Sequence, residues 1–231
     1  MRYDNWRKGI FCSRPNRFIA HVELDGEMVV CHVKNTGRCK ELLLPGATVY
    51  LEEHDSPKRK TKYSLVAVEK GEILINLDSQ APNKAVEEWL PNSGLFRHLT
   101  QLRREVTYGS SRFDFYVESD GKKCFLEVKG VTLEENGVVL FPDAPTERGV
   151  KHLRELLRCV GEGYDAYVLF VVQMRPVRYF TPNRERDPAF AKALKEAFDG
   201  GVKVLAVDCA VTPDTMEIRE FVPVQLDGKE R

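Results

Sequence analysis

Residues 112–129 read RFDFYVESDGKKCFLEVK, two apolar runs around the pair Asp120-Gly121. Asp-Gly between alternating runs is the strongest short-range signal for a β-hairpin. A two-residue loop there sets the register. Val117 falls opposite Cys124, Phe115 opposite Leu126, and Asp114 opposite Glu127. Side chains alternate along a strand. Phe113, Phe115 and Val117 are therefore expected on one face with Leu126 and Val128, and Asp114, Tyr116, Phe125, Glu127 and Lys129 on the other. Like charges directly opposed destabilise a sheet. Water on a polar outer face can offset that cost; so can a neighbouring cation such as Lys129, or a bound metal.

The chain around this hairpin is 231 residues long with a formal net charge of zero, which excludes a uniformly basic nucleic-acid binder. Residues 1–40 nevertheless carry eight Lys/Arg against four Asp/Glu. No apolar run approaches a membrane span. The first residues, MRYDNWRKGIFCSRPNRF, lack the apolar stretch of a signal peptide, so the cytoplasm is the expected location. Six scattered cysteines without CxxC spacing argue against a zinc site or a disulfide framework.

Two halves differ in pattern. Residues 17–24, 28–34, 47–53, 64–70 and 72–77 read as five short antiparallel strands, the content of an OB-fold-like β-barrel, assigned to residues 1–82. From 83 to 231 the order is helical 83–102 (broken at Pro91), the hairpin, a strand at 137–141, a helix at 147–160 capped by Thr146, a buried strand at 164–174, a helix from Asp187-Pro188, and a buried strand at 202–211. That order predicts an α/β domain with a mixed sheet covered by helices.

Chemistry concentrates on the hairpin. Hydrolysis of a phosphodiester needs an activated water and a cation near the developing charge. Mg2+ (or Mn2+) takes oxygen ligands, usually one or two carboxylates with water and phosphate completing the shell. Asp114 and Glu127 are the candidate metal ligands, and Lys129 the cation aimed at phosphate or water. Arg148, His152 and Glu155 share a helix face at i, i+4, i+7. Set against the hairpin, it offers a phosphate-binding Arg148 and a proton-transferring His152. Asp143, ahead of that helix, is a candidate outer ligand, and Glu105 a candidate third acid. In the barrel, Arg14, Asn16, Arg17 and Phe18 combine phosphate donors with a stacking ring, and His32, Asn35, Thr36 and Arg38 flank the Gly37 turn. OB-folds bind single strands with such mixtures of cations and aromatics. Turn chemistry for Asn35-Thr36-Gly37 and a core place for Phe18 are the alternatives.

The spacing D-(x12)-E-V-K, from Asp114 to Glu127 and Lys129, resembles the PD-(D/E)xK nuclease fold, although Phe113 stands where the motif's proline would be. Longer stretches add to it: RPNRF (14–18), HVKNTGRCKELLLPG (32–46), RFDFYV (112–117), FLEVKGVTLE (125–134) and FPDAPTERGVKHLREL (141–156). Together they resemble the sugar fermentation stimulation protein family, SfsA, over nearly the full length. The resemblance implies an N-terminal OB-like domain, a C-terminal nuclease-like domain, and binding to nucleic acid, with DNA the expected partner. It also implies a regulatory link to maltose and other sugar catabolism in bacteria. Three activities follow as expectations: a metal-dependent nuclease, a DNA-binding regulator without turnover, and a phosphodiesterase for a small nucleotide.

Overall fold

The computed structural model describes residues 1–35, 37 and 39–227. The first half holds β1 (Trp6–Asn16), β2 (Ile19–Leu24), β3 (Glu27–Val33), β4 (Thr48–Glu53), β5 (Tyr63–Lys70) and β6 (Ile73–Asn76). A five-stranded barrel closes through β1–β2, β2–β3, β3–β5, β5–β4 and β4–β1.

This is the expected OB-like barrel, with two corrections to its strands. The strand at its centre is β1, flanked by β2 and β4, where the sequence reading placed no strand. Only Gly9 and Phe11 of its eleven residues are buried, so charged neighbours mask any alternation. Gly9 belongs there for space: a Cβ would meet Val22 Cγ1 at 2.6 Å and the Glu23 carbonyl at 2.8 Å. The expected fifth strand, now β6, lies outside the ring on β5, and the ring closes by the parallel pair β3–β5 rather than by antiparallel pairs alone.

Helix α1 (Ala81–Trp89) follows, continued by one 3-10 turn at Leu90–Asn92. The helix expected to run to 102 stops there. Residues 99–108 form β7 (Leu99–Tyr108), the edge strand beside β8 (Ser111–Ser119). Leu95, Leu99 and Leu102 imitate a helical stripe, but Gly94 (φ +71°) and His98 (φ +47°) break the helical path between them.

The remaining elements are β9 (Lys122–Val131), β10 (Leu133–Glu135), β11 (Val138–Phe141), α2 (Glu147–Gly161), β12 (Asp165–Val172), β13 (Tyr179–Pro182), α3 (Pro188–Asp199), β14 (Lys203–Val211) and β15 (Met216–Phe221). The main sheet runs β15-β14-β12-β9-β8-β7, with β9, β12 and β14 parallel at its centre. Thr146 and Asp187 cap α2 and α3 by accepting from Gly149 N and Phe190 N. Leu153 and Leu156 of α2 and Phe190 and Leu194 of α3 join the core on one face of the sheet, and Ala81, Ala85 and Val86 of α1 join the other.

The two halves meet at the C-terminal ends of the central strands. Gln173, just past β12, donates from Nε2 to the carbonyls of Asn76 (3.0 Å) and Asp78 (3.2 Å), and its own carbonyl accepts from Asn76 N. Lys34 bridges Glu52 and Asp78, the latter 1% exposed. Residues 1–3 leave the barrel and bond to 214–216 beside β15.

Candidate active site

The hairpin has the register its loop dictates: Phe115↔Leu126, Tyr116↔Phe125, Val117↔Cys124. Asp120 and Gly121 both take positive φ, as a two-residue turn of this hand requires. The ladder ends at Phe115. Beyond it the alternation breaks, which corrects the placement of Phe113. Its ring packs on Phe125 and His152, on the α2 side, while Phe115 lies in the opposite cluster with Leu126 and Val128. At Asp114, between the two rings, the carboxylate takes up backbone bonding itself: Val128 N donates to Oδ2 at 2.8 Å. Asn83 Nδ2, from the first turn of α1, donates to Oδ1 at 2.8 Å.

Glu127 sits mid-strand in β9 and is 3% exposed. Its Oε1 accepts from Lys129 Nζ at 2.6 Å and faces His152 Nδ1 at 2.5 Å. Arg148 Nε donates to His152 Nε2 at 3.4 Å, so the ring proton belongs on Nδ1 and points to Glu127. Helix α2 therefore delivers Arg148 and His152 to the hairpin acid. Glu155, on the same face, turns instead to Ser110 in the β7–β8 turn.

Two acids in one site carry opposite shifts. Burial raises the Asp114 pKa, the nearby Glu127 raises it further, and the donors Val128 N and Asn83 only partly counter this. Burial also works against charge on Glu127, but the bonds from His152 and Lys129 outweigh it and its pKa falls. Glu127 is the held anion, and Asp114 the one short of positive charge.

The residues fit a divalent cation. Among the described residues, Glu127 Oε2 is buried without a hydrogen-bond partner, and such an orphaned acceptor in a charged group is expensive. Oxygen from Asp114 and Glu127 is the donor set a hard cation takes, with water filling the rest. Among the described residues no group of three or more His, Cys, Asp or Glu is placed to hold a metal, so a site here draws on at most two such side chains.

The other candidates lie elsewhere. Glu105, at φ +53° in β7, pairs with Arg112 at 3.4 Å and is exposed. Asp143 stands against Gly37, its Oδ2 2.5 Å from where a Cβ on that glycine would sit. In the barrel, Arg14, Asn16 and Arg17 line one cleft with Gly37, Cys39, Lys40 and Leu43. Arg17 lies over the Phe18 ring (4.8 Å to the centroid), and that ring is 44% exposed rather than in the core. Asn16 Oδ1 accepts from Phe18 N and Ile19 N, and Asn35 Oδ1 from Gly37 N, so both amides shape turns. His32 is half-buried, and burial with the charges of Arg59 and Lys34 lowers its pKa. Thr36 and Arg38 lie outside the described residues. Asn83 was missed in sequence reading; 31 residues separate it from Asp114 and no motif marks it.

Two family descriptions match the chain: "SfsA N-terminal OB domain" over residues 12–77 and "Sugar fermentation stimulation protein RE domain" over 80–215. A sugar fermentation stimulation protein homolog of Clostridium beijerinckii is 59% identical over 226 residues, 98% of this chain and 100% of the relative. One of Desulfitobacterium hafniense is also 59% identical, covering 98% and 99%. The structure of Pyrococcus furiosus SfsA in complex with Ca2+ superimposes with a TM-score of 0.88 at 28% identity, covering 97% of this chain and 98% of that one. With both halves matched and the similarity spanning nearly the whole chain, the protein belongs to the sugar fermentation stimulation protein family, SfsA.

Proposed function

We propose that this protein is a divalent-metal-dependent nuclease that binds DNA through its barrel cleft and hydrolyses phosphodiester bonds at the Asp114–Glu127–Lys129 centre. The observation that carries the reading is the buried Glu127 Oε2, partnerless among the described residues, beside an Asp114 whose charge is under-compensated. The Ca2+ in the Pyrococcus furiosus relative supports it, since Ca2+ and Mg2+ both select oxygen ligands. Mg2+ or Mn2+ held by Asp114 and Glu127 would polarise the scissile phosphate and lower the pKa of a bound water. Lys129, 14% exposed at its side chain, places an ammonium where charge develops on phosphate. His152 holds Glu127 in orientation through Nδ1, and Arg148 keeps His152 in that tautomer. Arg17 and Lys40 supply phosphate contacts in the cleft, beside an Arg14 whose Nη2 also holds the Arg17 and Asn35 carbonyls, and the exposed Phe18 ring next to Arg17 is a surface on which a base stacks.

A second reading, a DNA-binding regulator of sugar (maltose) catabolism genes without turnover, draws on a different observation. Lys129 and His152 already donate to Glu127 Oε1, and among the described residues only two carboxylates are at hand.

Incubation with single- and double-stranded DNA and RNA in Mg2+ or Mn2+ separates the two. Cleavage that disappears in Asp114→Ala and Lys129→Ala supports the nuclease. Cleavage that survives both removes this centre from the reaction. Salt-dependent binding with no cleavage in either metal favours the regulator.

A further inference from the structure

Helix α1 opens with Ala81-Pro82-Asn83, and its first turn presses on the end of β9. Gly130 permits this approach: a Cβ there would meet Gln173 Oε1 at 2.5 Å and Pro82 Cγ at 2.9 Å. The segment leading into the helix is held on both sides. Asn35 Nδ2 donates to the Leu77 carbonyl at 3.0 Å, Ser79 N to the Lys34 carbonyl at 3.2 Å, and Gln173 Nε2 to the carbonyls of Asn76 and Asp78. Asn83 therefore stands on a base anchored to barrel and sheet alike.

An Asn in the first turn of a helix ordinarily serves the exposed backbone N–H groups there. Here α1 has no side-chain cap at all, and the Asn83 amide goes to Asp114 Oδ1 at 2.8 Å. Val128 N takes Oδ2 at 2.8 Å. The two donors grip both oxygens and fix the carboxylate's plane, and each oxygen keeps a lone pair for another partner.

From this we infer that Asn83 is a positioning residue for the cation site: it sets the orientation of Asp114 and makes the first turn of α1 part of that site. The inference rests on the reading of Asp114 and Glu127 as cation ligands. Hydrogen-bond partners behind ligating carboxylates typically contribute 10–100-fold to metal affinity. The role also explains why the segment between the two halves is tightly bonded: a displacement of α1 would carry Asn83 away from Asp114.

The test is isothermal titration of the full chain with Mn2+, paired with thermal unfolding in chelator. Asn83→Ala is expected to weaken Mn2+ binding by about 10-fold or more, with the chain still folded in chelator at the titration temperature. Asn83→Ser, whose hydroxyl is too short to span the gap, should behave alike and carries the test if Asn83→Ala does not fold. Lys84→Ala, exposed on the same helix, should bind Mn2+ as the unaltered protein does. Mn2+ binding by Asn83→Ala and Asn83→Ser equal to that of the unaltered chain overturns the role of Asn83 and leaves the cation site standing. No Mn2+ binding by the unaltered chain overturns the cation site and the role of Asn83 together.

Discussion

The barrel cleft and the hairpin centre use charge in opposite ways. In the cleft, Arg17 and Lys40 are exposed, and the polar neighbours Asn16 and Asn35 are committed to turns. Cations there stay hydrated until a ligand arrives, so each contributes modestly and is screened by salt. At the hairpin, Glu127 is nearly inaccessible, and each partner compensates a charge that water no longer reaches. Removal of a partner there leaves an uncompensated group. Affinity in the first region should thus be divisible residue by residue, while the second should fail as a unit.

The largest expected effect tests that contrast at the hairpin. Glu127→Gln or Lys129→Ala should lower kcat for metal-dependent cleavage by roughly 10^2–10^3 or more, with DNA affinity in chelator nearly unchanged. Equal losses in affinity would show that the two regions are not separable.

Next comes stability. His152→Ala strips a buried donor from Glu127 Oε1. A loss of about 2–3 kcal/mol is expected, which lowers Tm by roughly 5–10 °C in a chain of this size. The acid limb of the stability curve reports on the same bond. The folded pKa of Glu127 is depressed, so its contribution is complete above the unfolded-state value and is lost as pH falls through the lower folded value. His152→Ala and Lys129→Ala should flatten that limb in an unfolding series from pH 7 downward. An unchanged acid limb in both variants would refute the assignment of the depression to those partners.

A smaller effect belongs to the cleft. Arg17→Ala should weaken oligonucleotide binding a few-fold, reduce the slope of log affinity against log salt by about 0.7–0.9, and leave kcat at saturation alone. A change in kcat without a change in salt slope would place Arg17 in the chemistry rather than in binding.

The smallest effect has an unusual sign. The raised pKa of Asp114 means that its ionised form opposes folding above the folded-state pKa, and that the cost is relieved on acidification. Asp114→Asn should therefore raise Tm in chelator at pH 7, by ~2–4 °C if about 1 kcal/mol is recovered. Mn2+ should stabilise the unaltered protein but not this variant. A lower Tm for Asp114→Asn would mean that the bonds from Asn83 and Val128 outweigh the burial of the charge.

Much of this molecule can be read from local pattern. The Asp120-Gly121 turn dictates the hairpin register, Thr146 and Asp187 mark helix starts, and the apolar run at 164–174 announces a central strand. Arg148 and His152 emerge from helical spacing alone. Each rests on interactions within a few residues or across one tight turn, where covalent geometry leaves few options. Harder to read were elements whose reason lies elsewhere in the chain. Strand β1 buries a single side chain, Phe11, while Gly9, lacking a Cβ, makes room for Val22. Strand β7 carries a leucine spacing that suits a helix, and only pairing with β8 makes it a strand. Phe113 packs toward α2 instead of with Phe115, which the strand alternation does not foretell.

By itself, then, the sequence determined the hairpin, the helix caps, the spacing of acid, acid and lysine, and the membership of a family. Tertiary structure decided which of those groups meet. It closed the barrel through the parallel β3–β5 pair, brought His152 to Glu127, left Glu127 Oε2 without a donor among the described residues, and set Asn83 against Asp114. The physical reason is the range of the forces involved. Turn and cap preferences act over three or four residues, whereas desolvation and charge compensation depend on every neighbour that folding packs around a group.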